Sequence, residues 1–458
     1  MPRRKGRTGR RRTRNYLDYE PLATSSESEG HVDTKSLHTK LRRVSERPVS
    51  LEHEESFIVL LKWMKKNGFT LKNLRPAVFP GTGRGLLTKA HLRPGDDIIS
   101  VPSKLLITTH TALNSYVGEA IKKYGFGSEE ISPQLILCLF LAYEKRRGNK
   151  SFWYPYISSL PASFSTTAFF TDEERQCLPG FLKEKSDIQL NSIKVSYELA
   201  LLIGAHIEAA CKDFAGGLSW EQYLWAWGVV NTRSVYMEQR LHPLLTGVDH
   251  YALVPLLDML NHSVSAKVKA VFSKSTDRYM MQTFDTYRPY DQVFICYGPH
   301  DNSKLLLEYG FVLPVNPHNA VTFKEDDFNI IKFQFPESAW KKKRAMMEEN
   351  DVLCSLCCSA DGPSWNLQCV FRILVRDWET RISCGQYLMT EPTEKEKFKM
   401  KRLCDMVLKE KLQRIQECLC SIKECEPSYH ISMVSTLLEQ LEEILIKRNL
   451  KRVTFDIG

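Results

Sequence analysis

The stretch Val254–Ser263, VPLLDMLNHS, constrains the fold most because it places three polar residues inside an apolar run. Asp258, Asn261 and His262 are three and four residues apart, a spacing that predicts a single helical face. Polar groups that enter an apolar environment need hydrogen-bond partners. The stretch therefore predicts either a satisfied turn in the core or the wall of a ligand site.

The length of 458 residues predicts two folded units, because a single core seldom grows to this size. Hydrophobic residues make up 43% of the chain, which is ample for burying both. No apolar run approaches the ~20 residues that a membrane helix requires, and no signal-peptide core follows the N-terminus. We therefore expect a protein that does not contact membranes. A monomeric state and a location in the nucleus and cytoplasm are further expectations.

The N-terminal segment carries most of the excess positive charge. Residues 1–14 hold eight Lys and Arg and no acid, so that only +1 of the net charge of +9 belongs to residues 15–458. Residues 1–50 are also poor in apolar side chains, a composition typical of a disordered tail. Such a tail is either a nuclear-localisation or nucleic-acid-contacting segment or simply solvated chain.

The thirteen cysteines are expected to be reduced thiols, because no secretion signal accompanies them. The spacing of Cys418, Cys420 and Cys425 fits a short zinc loop, to which Cys354, Cys357 and Cys358 could add ligands. The loop, however, falls on a helix patterned by Leu and Ile, and free cysteine is a common buried residue. We therefore expect no metal.

A glycine-rich segment, FPGTGRGL, alternates Gly81, Gly83 and Gly85 with other residues before the apolar pair Leu86-Leu87. The pattern predicts a glycine-rich turn that feeds a β-hairpin, whose second strand is at residues 98–101. No strand clearly precedes it and no helix follows, which excludes the dinucleotide-binding fingerprint. The glycines serve either a close approach to a ligand or a turn with positive φ, and by themselves they favour the turn.

Helical patterns dominate two regions of the chain. Residues 109–245 are mostly helical, and Ser219 with Gln222 fits a capping box at the start of one apolar helix. Arg233 follows that helix, where its charge must reach water or find an anion. Beyond residue 321, apolar stripes at 364–380, 395–420 and 428–448 predict an all-helical second domain.

Strand patterns lie between these regions. Residues 267–273 and 279–286 alternate as two strands joined by a turn, and residues 292–298, QVFICYG, form a further strand that ends near Tyr297.

A short helix, KLLLEYGF, follows with Asn302 or Ser303 as its cap. It brings Tyr309 near Tyr297 in sequence, and we expect the two rings to lie close together.

The motifs GTGRGL, NHS, VFICYG and EYGF, in that order, resemble the SET-domain methyltransferases, in the branch typified by the Rubisco large-subunit lysine methyltransferases. The resemblance implies an α+β fold, with a SET-type clasp of β-strands at 51–320 and a helical insertion at about 109–245. Residues 321–458 would then be an all-α, substrate-binding-like domain. In this fold the NHS segment and the last strand cross, and S-adenosylmethionine and the target residue meet through a narrow channel.

The resemblance also assigns roles to residues of this chain. Tyr297 matches the catalytic tyrosine, and the substrate channel would be lined by Val235, Tyr297 and Tyr309. The cofactor would be held by a larger set: Thr82, Gly83, Arg84, Arg233, Asp258, Met259, Leu260, Asn261, His262, Tyr297, Tyr309, Gly310 and Phe311. Asp258 and Tyr309 also have simpler interpretations, as the cap of a turn and as a packed aromatic ring.

Two departures from the family pattern bear on function. Ser263, rather than Cys, follows Asn261-His262, which favours the branch without a zinc loop. Val235 is apolar where relatives that methylate histidine use a polar amide, which favours lysine as the acceptor.

The resemblance thus implies a protein-lysine methyltransferase acting on a histone tail or another lysine-bearing protein. Two alternatives stay open: a non-catalytic SET scaffold that binds peptides or chromatin, and a nucleic-acid binder that works through its basic tail.

Overall fold

The computed structural model of the chain describes residues 47–125, 131–210, 214, 216–376 and 383–450. The basic segment 1–14 and nearly all of the predicted tail lie outside the described residues. Across the described ranges, no helix is both long and apolar enough to span a bilayer.

One sheet gathers the glycine-rich segment, the NHS segment and the strand before Tyr297. Its strand order from one edge to the other is Val49–Ser50, Leu74–Phe79, Gly83–Thr88, Gln292–Ile295 and Asn261–His262. The last pairing is parallel, with Phe294 opposite Asn261 and Ile295 opposite His262, whereas the others are antiparallel. The sheet therefore brings three motifs that are far apart in sequence into direct contact.

The expected absence of a strand before the glycines is wrong. The Leu74–Phe79 strand precedes them and pairs with Gly83–Thr88, so the glycine turn lies inside this hairpin. The strand was hidden because it contains Pro76, a residue that normally argues against a strand. The predicted second strand is real and spans Asp97–Pro102, but it belongs to a different sheet.

Two three-stranded sheets complete the strand clasp. In one, Arg278–Thr283 lies between Asp97–Pro102 and Val268–Ser273. This confirms the predicted strand pair and the turn that joins it. In the other, Tyr251–Leu253 lies between Ile107–Thr108 and Val235–Tyr236.

The helical face predicted for the VPLLDMLNHS stretch is wrong. Leu257–Met259 form a single 3-10 turn, and Asn261–His262 are an extended strand. The turn begins after Leu256, which has a φ of 69°. Parallel pairing with Gln292–Ile295 fixes the extended backbone, an interaction that local spacing does not reveal.

The predicted helical insertion is confirmed. Ser219 and Gln222 form the capping box of the helix that ends at Arg233. The helices of the insertion are Thr109–Leu113, Tyr116–Tyr124, Pro133–Arg147, Tyr154–Ile157, Asp172–Gln176, Gly180–Ala210 and Trp220–Arg233. The short helix before Tyr309 is also present, although its cap is Asp301 rather than Asn302 or Ser303.

The C-terminal region is helical, as predicted, and its buried apolar side chains form one cluster with residues of the helical insertion, among them Phe170, Leu178 and Leu182. Within its described residues the region also contains a two-stranded pairing, Ala320–Thr322 with Cys357–Ser359, so it is not entirely helical as expected. Its helices are Asn329–Lys332, Glu337–Glu349, Trp365–Val375, Cys384–Leu388, Glu394–Lys423 and Tyr429–Leu450.

One cysteine pair contradicts the prediction of reduced thiols. Cys177 and Cys425 form a disulfide with their Cα atoms 6.4 Å apart. The partners are 248 residues apart in sequence, so spacing could not reveal the pair. Cys425 is therefore not a free thiol beside Cys418 and Cys420. No group of three or more His, Cys, Asp or Glu side chains is placed to hold a metal within the described ranges.

Candidate active site

Asn261 fixes the glycine-rich turn from a strand that is two positions away in the order of the sheet. Its Nδ2 donates to the carbonyls of Thr82 and Arg84, at 3.3 and 3.1 Å. A Cβ at Gly85 would lie 2.8 Å from that nitrogen, so only glycine allows the approach. Gly81 and Gly83 have φ values of 81° and 68°, where glycine is favoured. The turn with positive φ therefore explains Gly81 and Gly83, whereas the close approach at Gly85 is to side chains of the protein itself.

Arg233 and Asp258 form a buried ion pair at the end of the Trp220–Arg233 helix. The Nη1 atom of Arg233 donates to Asp258 Oδ2 at 3.2 Å, and the two side chains are 18% and 2% exposed. The hydroxyl of Tyr156 donates to the same carboxylate oxygen at 3.1 Å. Burial raises the pKa of Asp258, and the charge of Arg233 opposes that rise. The positive charge of Arg233 is thus paired with a carboxylate of the protein itself, that of Asp258.

Arg84 adds a second positive charge to this group. Burial and repulsion from Arg233 lower the pKa of its guanidinium, while Asp258 and Glu54 oppose the shift. Its Nη1 donates to the carbonyl of Ser159 at 3.0 Å. Arginine stays cationic in proteins. Two guanidinium groups therefore lie close to the one buried carboxylate of Asp258, an arrangement that suits an anionic ligand group.

The side chain of Tyr297 is fixed by the NHS segment. Its hydroxyl donates to the carbonyl of Leu260 at 2.8 Å, and its backbone N–H donates to His262 Nδ1 at 3.0 Å. Burial raises the pKa of the phenol well above its usual value. Tyr297 is therefore a neutral hydroxyl at physiological pH, and it is held in one direction.

His262 is a buried neutral imidazole beside that tyrosine. Its side chain is 6% exposed, and burial lowers its pKa to about 4. Since Nδ1 accepts a hydrogen bond, the ring proton is on Nε2, which has no hydrogen-bond partner among the described residues.

Tyr309 lies next to Tyr297, as the sequence predicts, with ring centroids 4.9 Å apart. It ends a π-helical turn, Leu305–Tyr309, a conformation that is frequent at functional sites. Gly310 follows with a φ of 77°, and a Cβ there would lie 2.7 Å from the backbone of Ser165. Ser165 Oγ donates to the Gly310 carbonyl at 2.6 Å, which joins the helical insertion to the turn.

These groups surround two cavities that meet. The larger, of about 430 Å³, is called the cofactor cleft below and is lined by the following residues: Thr82, Gly83, Arg84, Pro161, Ser163, Phe164, Ser165, Thr232, Arg233, Asp258, Met259, Asn261, Tyr297, Tyr309, Gly310, Phe311 and Tyr429. Its volume lies within the usual range for small-molecule sites.

The smaller cavity, of about 300 Å³, is called the acceptor channel below. Its apolar lining includes Val235, Leu257, Leu260, Val268, Ala270, Met281 and Ile295. The two cavities share five lining residues: Thr232, Arg233, Asp258, Tyr297 and Tyr309. A ligand in the cleft and one in the channel would therefore meet beside Tyr297.

Most of the residues that the resemblance assigned to the cofactor do line the cofactor cleft. Two do not: Leu260 lines the acceptor channel, and His262 lines neither cavity. His262 instead supports the backbone of Tyr297. The three residues assigned to the substrate channel, Val235, Tyr297 and Tyr309, all line the acceptor channel.

Sequence reasoning missed several lining residues. Pro161, Ser163, Phe164 and Ser165 belong to an irregular loop without a local signal, and Tyr429 comes from the distant C-terminal region. The sequence around Tyr156, whose hydroxyl donates to Asp258, also gave no indication that this residue belongs to the site. Two positions could have been found, because Tyr279 and Met281 alternate along the Arg278–Thr283 strand and both line the channel.

A glycine hairpin held by the NHS strand, a parallel pairing at that strand, and two cavities meeting at a tyrosine define the SET class of methyltransferase folds. The family model described as SET domain matches residues 83–298. SET domain-containing protein 4 from Homo sapiens is 36% identical over 391 residues, which are 85% of this chain and 82% of that protein. The chain belongs to the SET-domain methyltransferase family.

Other comparisons extend this result. The actin-histidine N-methyltransferase of Rattus norvegicus is 26% identical over 307 residues, covering 65% of this chain and 50% of that protein. Among solved structures, the SET domain of LSMT bound to lysine and AdoHcy superposes with a TM-score of 0.60 at 18% identity, covering 87% of this chain and 90% of the other. Rubisco LSMT bound to AdoMet gives 0.59 at 18% identity, covering 87% and 93%. These structures share the fold of this chain.

Proposed function

We propose that the chain is an S-adenosylmethionine-dependent protein-lysine N-methyltransferase. The observation that carries the proposal is the meeting of the cofactor cleft and the acceptor channel at Tyr297. A methyl donor and an acceptor amine that enter separate cavities need such a junction. The SET domain of LSMT, which has a similar fold, binds lysine and AdoHcy, and this supports a site that takes both kinds of ligand.

The residues of the cofactor cleft fit S-adenosylmethionine. Its carboxylate would lie near Arg84 and Arg233, where positive charge exceeds the negative charge of Asp258. The Nε of Arg233 is buried without a hydrogen-bond partner in the part of the chain that the structure describes, so a donor is available. When bound, the cofactor supplies a methyl group on a sulfonium, which is reactive toward a neutral amine. Phe164 and Phe311 offer aromatic faces in the same cleft for its purine.

The acceptor channel favours a neutral lysine amine. Free lysine has a pKa of about 10.4, so its ammonium must lose a proton before its lone pair can react. The apolar part of the lining disfavours the charged form. Arg84 and Arg233 together outweigh the single carboxylate of Asp258, so the net charge beside the channel is positive and repels an ammonium. The proton then passes to water, and no carboxylate base is required.

Tyr297 would orient the acceptor amine. Its raised pKa keeps the hydroxyl protonated, so it does not act as a base. Its proton is directed to the Leu260 carbonyl, which leaves the lone pairs of the phenol oxygen available as hydrogen-bond acceptors. A positioned acceptor of this kind aligns the nitrogen for in-line transfer, and alignment accounts for much of the rate in reactions of this kind.

The lining at Val235 favours lysine over histidine. Val235 and its apolar neighbours suit the four-carbon stem of lysine, whereas an imidazole would need a polar partner for its second nitrogen. Similarity to actin-histidine N-methyltransferase makes histidine the alternative acceptor to test.

We further propose that the acceptor lysine belongs to a histone tail or to another protein of the nucleus or cytoplasm. The basic residues of segment 1–14 would contact nucleic acid, whose phosphate groups attract such clusters. We propose that the chain acts as a monomer, with the C-terminal helical region selecting the protein substrate.

The proposal is tested by incubating the purified chain with labelled S-adenosylmethionine and either histones or a cell extract. Mass spectrometry then identifies the modified side chain. Methyl-lysine is the expected product, and methyl-histidine alone would overturn the choice of acceptor. A chain that binds neither S-adenosylmethionine nor S-adenosylhomocysteine in a titration would instead be a non-catalytic binding module.

A further inference from the structure

Tyr429 is the residue of the C-terminal helical region that reaches the cofactor cleft. It begins the Tyr429–Leu450 helix and lines the cleft together with Phe164 and Phe311. The side chain is nevertheless 66% exposed, so its ring is not used to fill the apolar core. An aromatic face that borders a ligand cleft without being buried is available for contact with a ligand.

The residues on either side of Tyr429 are clamped to the helical insertion by Glu174. Ser428 Oγ donates to Glu174 Oε1 at 2.7 Å, and His430 Nδ1 lies 2.8 Å from Glu174 Oε2. The ring of His430 also stacks on Phe170, with centroids 4.3 Å apart and an interplanar angle of 16°. Both sequence neighbours of Tyr429 are therefore fixed to one short segment of the insertion.

A covalent link reinforces this clamp. The disulfide between Cys177 and Cys425 joins the same part of the insertion to the segment immediately before the helix. Ser428 also caps the helix, because its Oγ accepts from the backbone N–H of Ile431 at 3.1 Å. The direction in which Tyr429 leaves the backbone is thus set by four separate interactions: the disulfide, two hydrogen bonds to Glu174 and the stacked ring.

We infer that the ring of Tyr429 forms an outer wall of the cofactor cleft and contacts the purine of the bound cofactor, and that the Cys177–Cys425 link holds it in that position. The inference rests on the proposed function, because it assumes that the cleft takes S-adenosylmethionine. Aromatic rings stack on any purine face without needing a hydrogen-bond pattern. The C-terminal helical region thereby takes part in cofactor binding and is not solely a partner for the protein substrate.

Calorimetric titration of the full chain with S-adenosylhomocysteine tests the contact. Tyr429→Ala should raise the Kd about tenfold, the range expected for losing one aromatic ring from a base. Tyr429→Phe should bind like the wild type, because the ring is kept. Phe398→Ala is the matched control, since Phe398 is 73% exposed on another helix of the same region and does not line the cleft. Equal Kd values for Tyr429→Ala and the wild type would overturn the contact.

A double-mutant cycle tests the role of the disulfide. Cys177→Ser with Cys425→Ser should weaken binding several-fold in the wild-type background and have no further effect in the Tyr429→Ala background. A full additional loss in that background, or no loss in the wild type, would show that the link does not act through Tyr429.

The two proposals fail in different ways. A wild-type chain that does not bind S-adenosylhomocysteine contradicts the proposed function. A wild-type chain that binds it, while Tyr429→Ala binds equally well, contradicts only the role of Tyr429.

Discussion

Arg233 donates from Nη1 both to the backbone carbonyl of Asp258, at 3.1 Å, and to its carboxylate, at 3.2 Å. The contact joins the end of the Trp220–Arg233 helix to the turn that leads into the NHS strand. It does so where the cofactor cleft and the acceptor channel share their lining. The ion pair thus supports both the fold of the insertion and the charge of the site.

Asp258→Asn should destabilise the protein by about 2–3 kcal/mol. The substitution keeps the shape but leaves the charge of Arg233 next to a neutral amide in a largely buried place. Urea unfolding measures the change. Glu337→Gln is the control, because both side chains of its ion pair with Lys341 are about three-quarters exposed. This substitution should leave the free energy of unfolding unchanged. An unchanged midpoint for Asp258→Asn would show that the pair is not stabilising.

Gly85→Ala should weaken S-adenosylhomocysteine binding by about tenfold or more. The new Cβ would be 2.8 Å from both Asn261 Nδ2 and Gln292 Nε2, so the amide that holds the turn at Thr82 and Arg84 must move. Calorimetry checks the Kd. Gly180→Ala has no atom within 4 Å of its Cβ and should bind normally. Normal binding by Gly85→Ala would contradict the role given to Asn261.

Val235→Asn should lower kcat/KM for a lysine substrate by about tenfold. An amide in the apolar channel lacks partners when a lysine stem occupies it, and unpaired buried polar groups are unfavourable. Initial rates with a peptide substrate measure the effect. Val248→Asn, at a position that is 61% exposed, should leave the rate unchanged. If Val235→Asn is as active as the wild type, position 235 does not help to select the acceptor side chain.

Stability should fall as the pH drops from about 6.5 to about 4, partly because of His262. Burial lowers the pKa of its folded state to about 4, below the unfolded value of about 6.5. The unfolded chain therefore binds the proton first in this interval, and the stabilisation present above pH 6.5 is lost on acidification. The loss from His262 should be of order 3 kcal/mol. Urea unfolding of the wild type and of His262→Gln at several pH values measures this loss. If the free energy of unfolding falls equally with pH in both proteins, His262 does not contribute.

Much of the fold could be predicted from the sequence because it depends on patterns among neighbouring residues. The capping box of Ser219 and Gln222, the alternating strands at 268–283 and the C-terminal apolar stripes each depend on neighbouring residues. The strand pairing of Asn261 and His262 could not be predicted from the sequence. Their extended backbone depends on pairing with residues more than thirty positions later, and this pairing overrides a spacing that predicts a helix.

The site shows the same division between local and distant effects. The ordered motifs located Tyr297 and Tyr309, and the capped apolar helix that ends at Arg233 drew attention to that residue. Tyr156 and Tyr429 had no such pattern, and each reaches the site through tertiary packing. The link between Cys177 and Cys425 likewise joins elements that only the folded chain brings together.

Methyl transfer by Tyr297→Phe is the most direct test of a reaction centred on this tyrosine. The substitution removes the hydroxyl bonded to the Leu260 carbonyl and keeps the ring packed against Tyr309. Single-turnover transfer of labelled methyl to a lysine peptide should slow by about 100-fold, the usual effect of losing one positioned polar group. The Kd for S-adenosylhomocysteine should stay close to that of the wild type. A transfer rate equal to that of the wild type would contradict the assignment of Tyr297 as the catalytic residue.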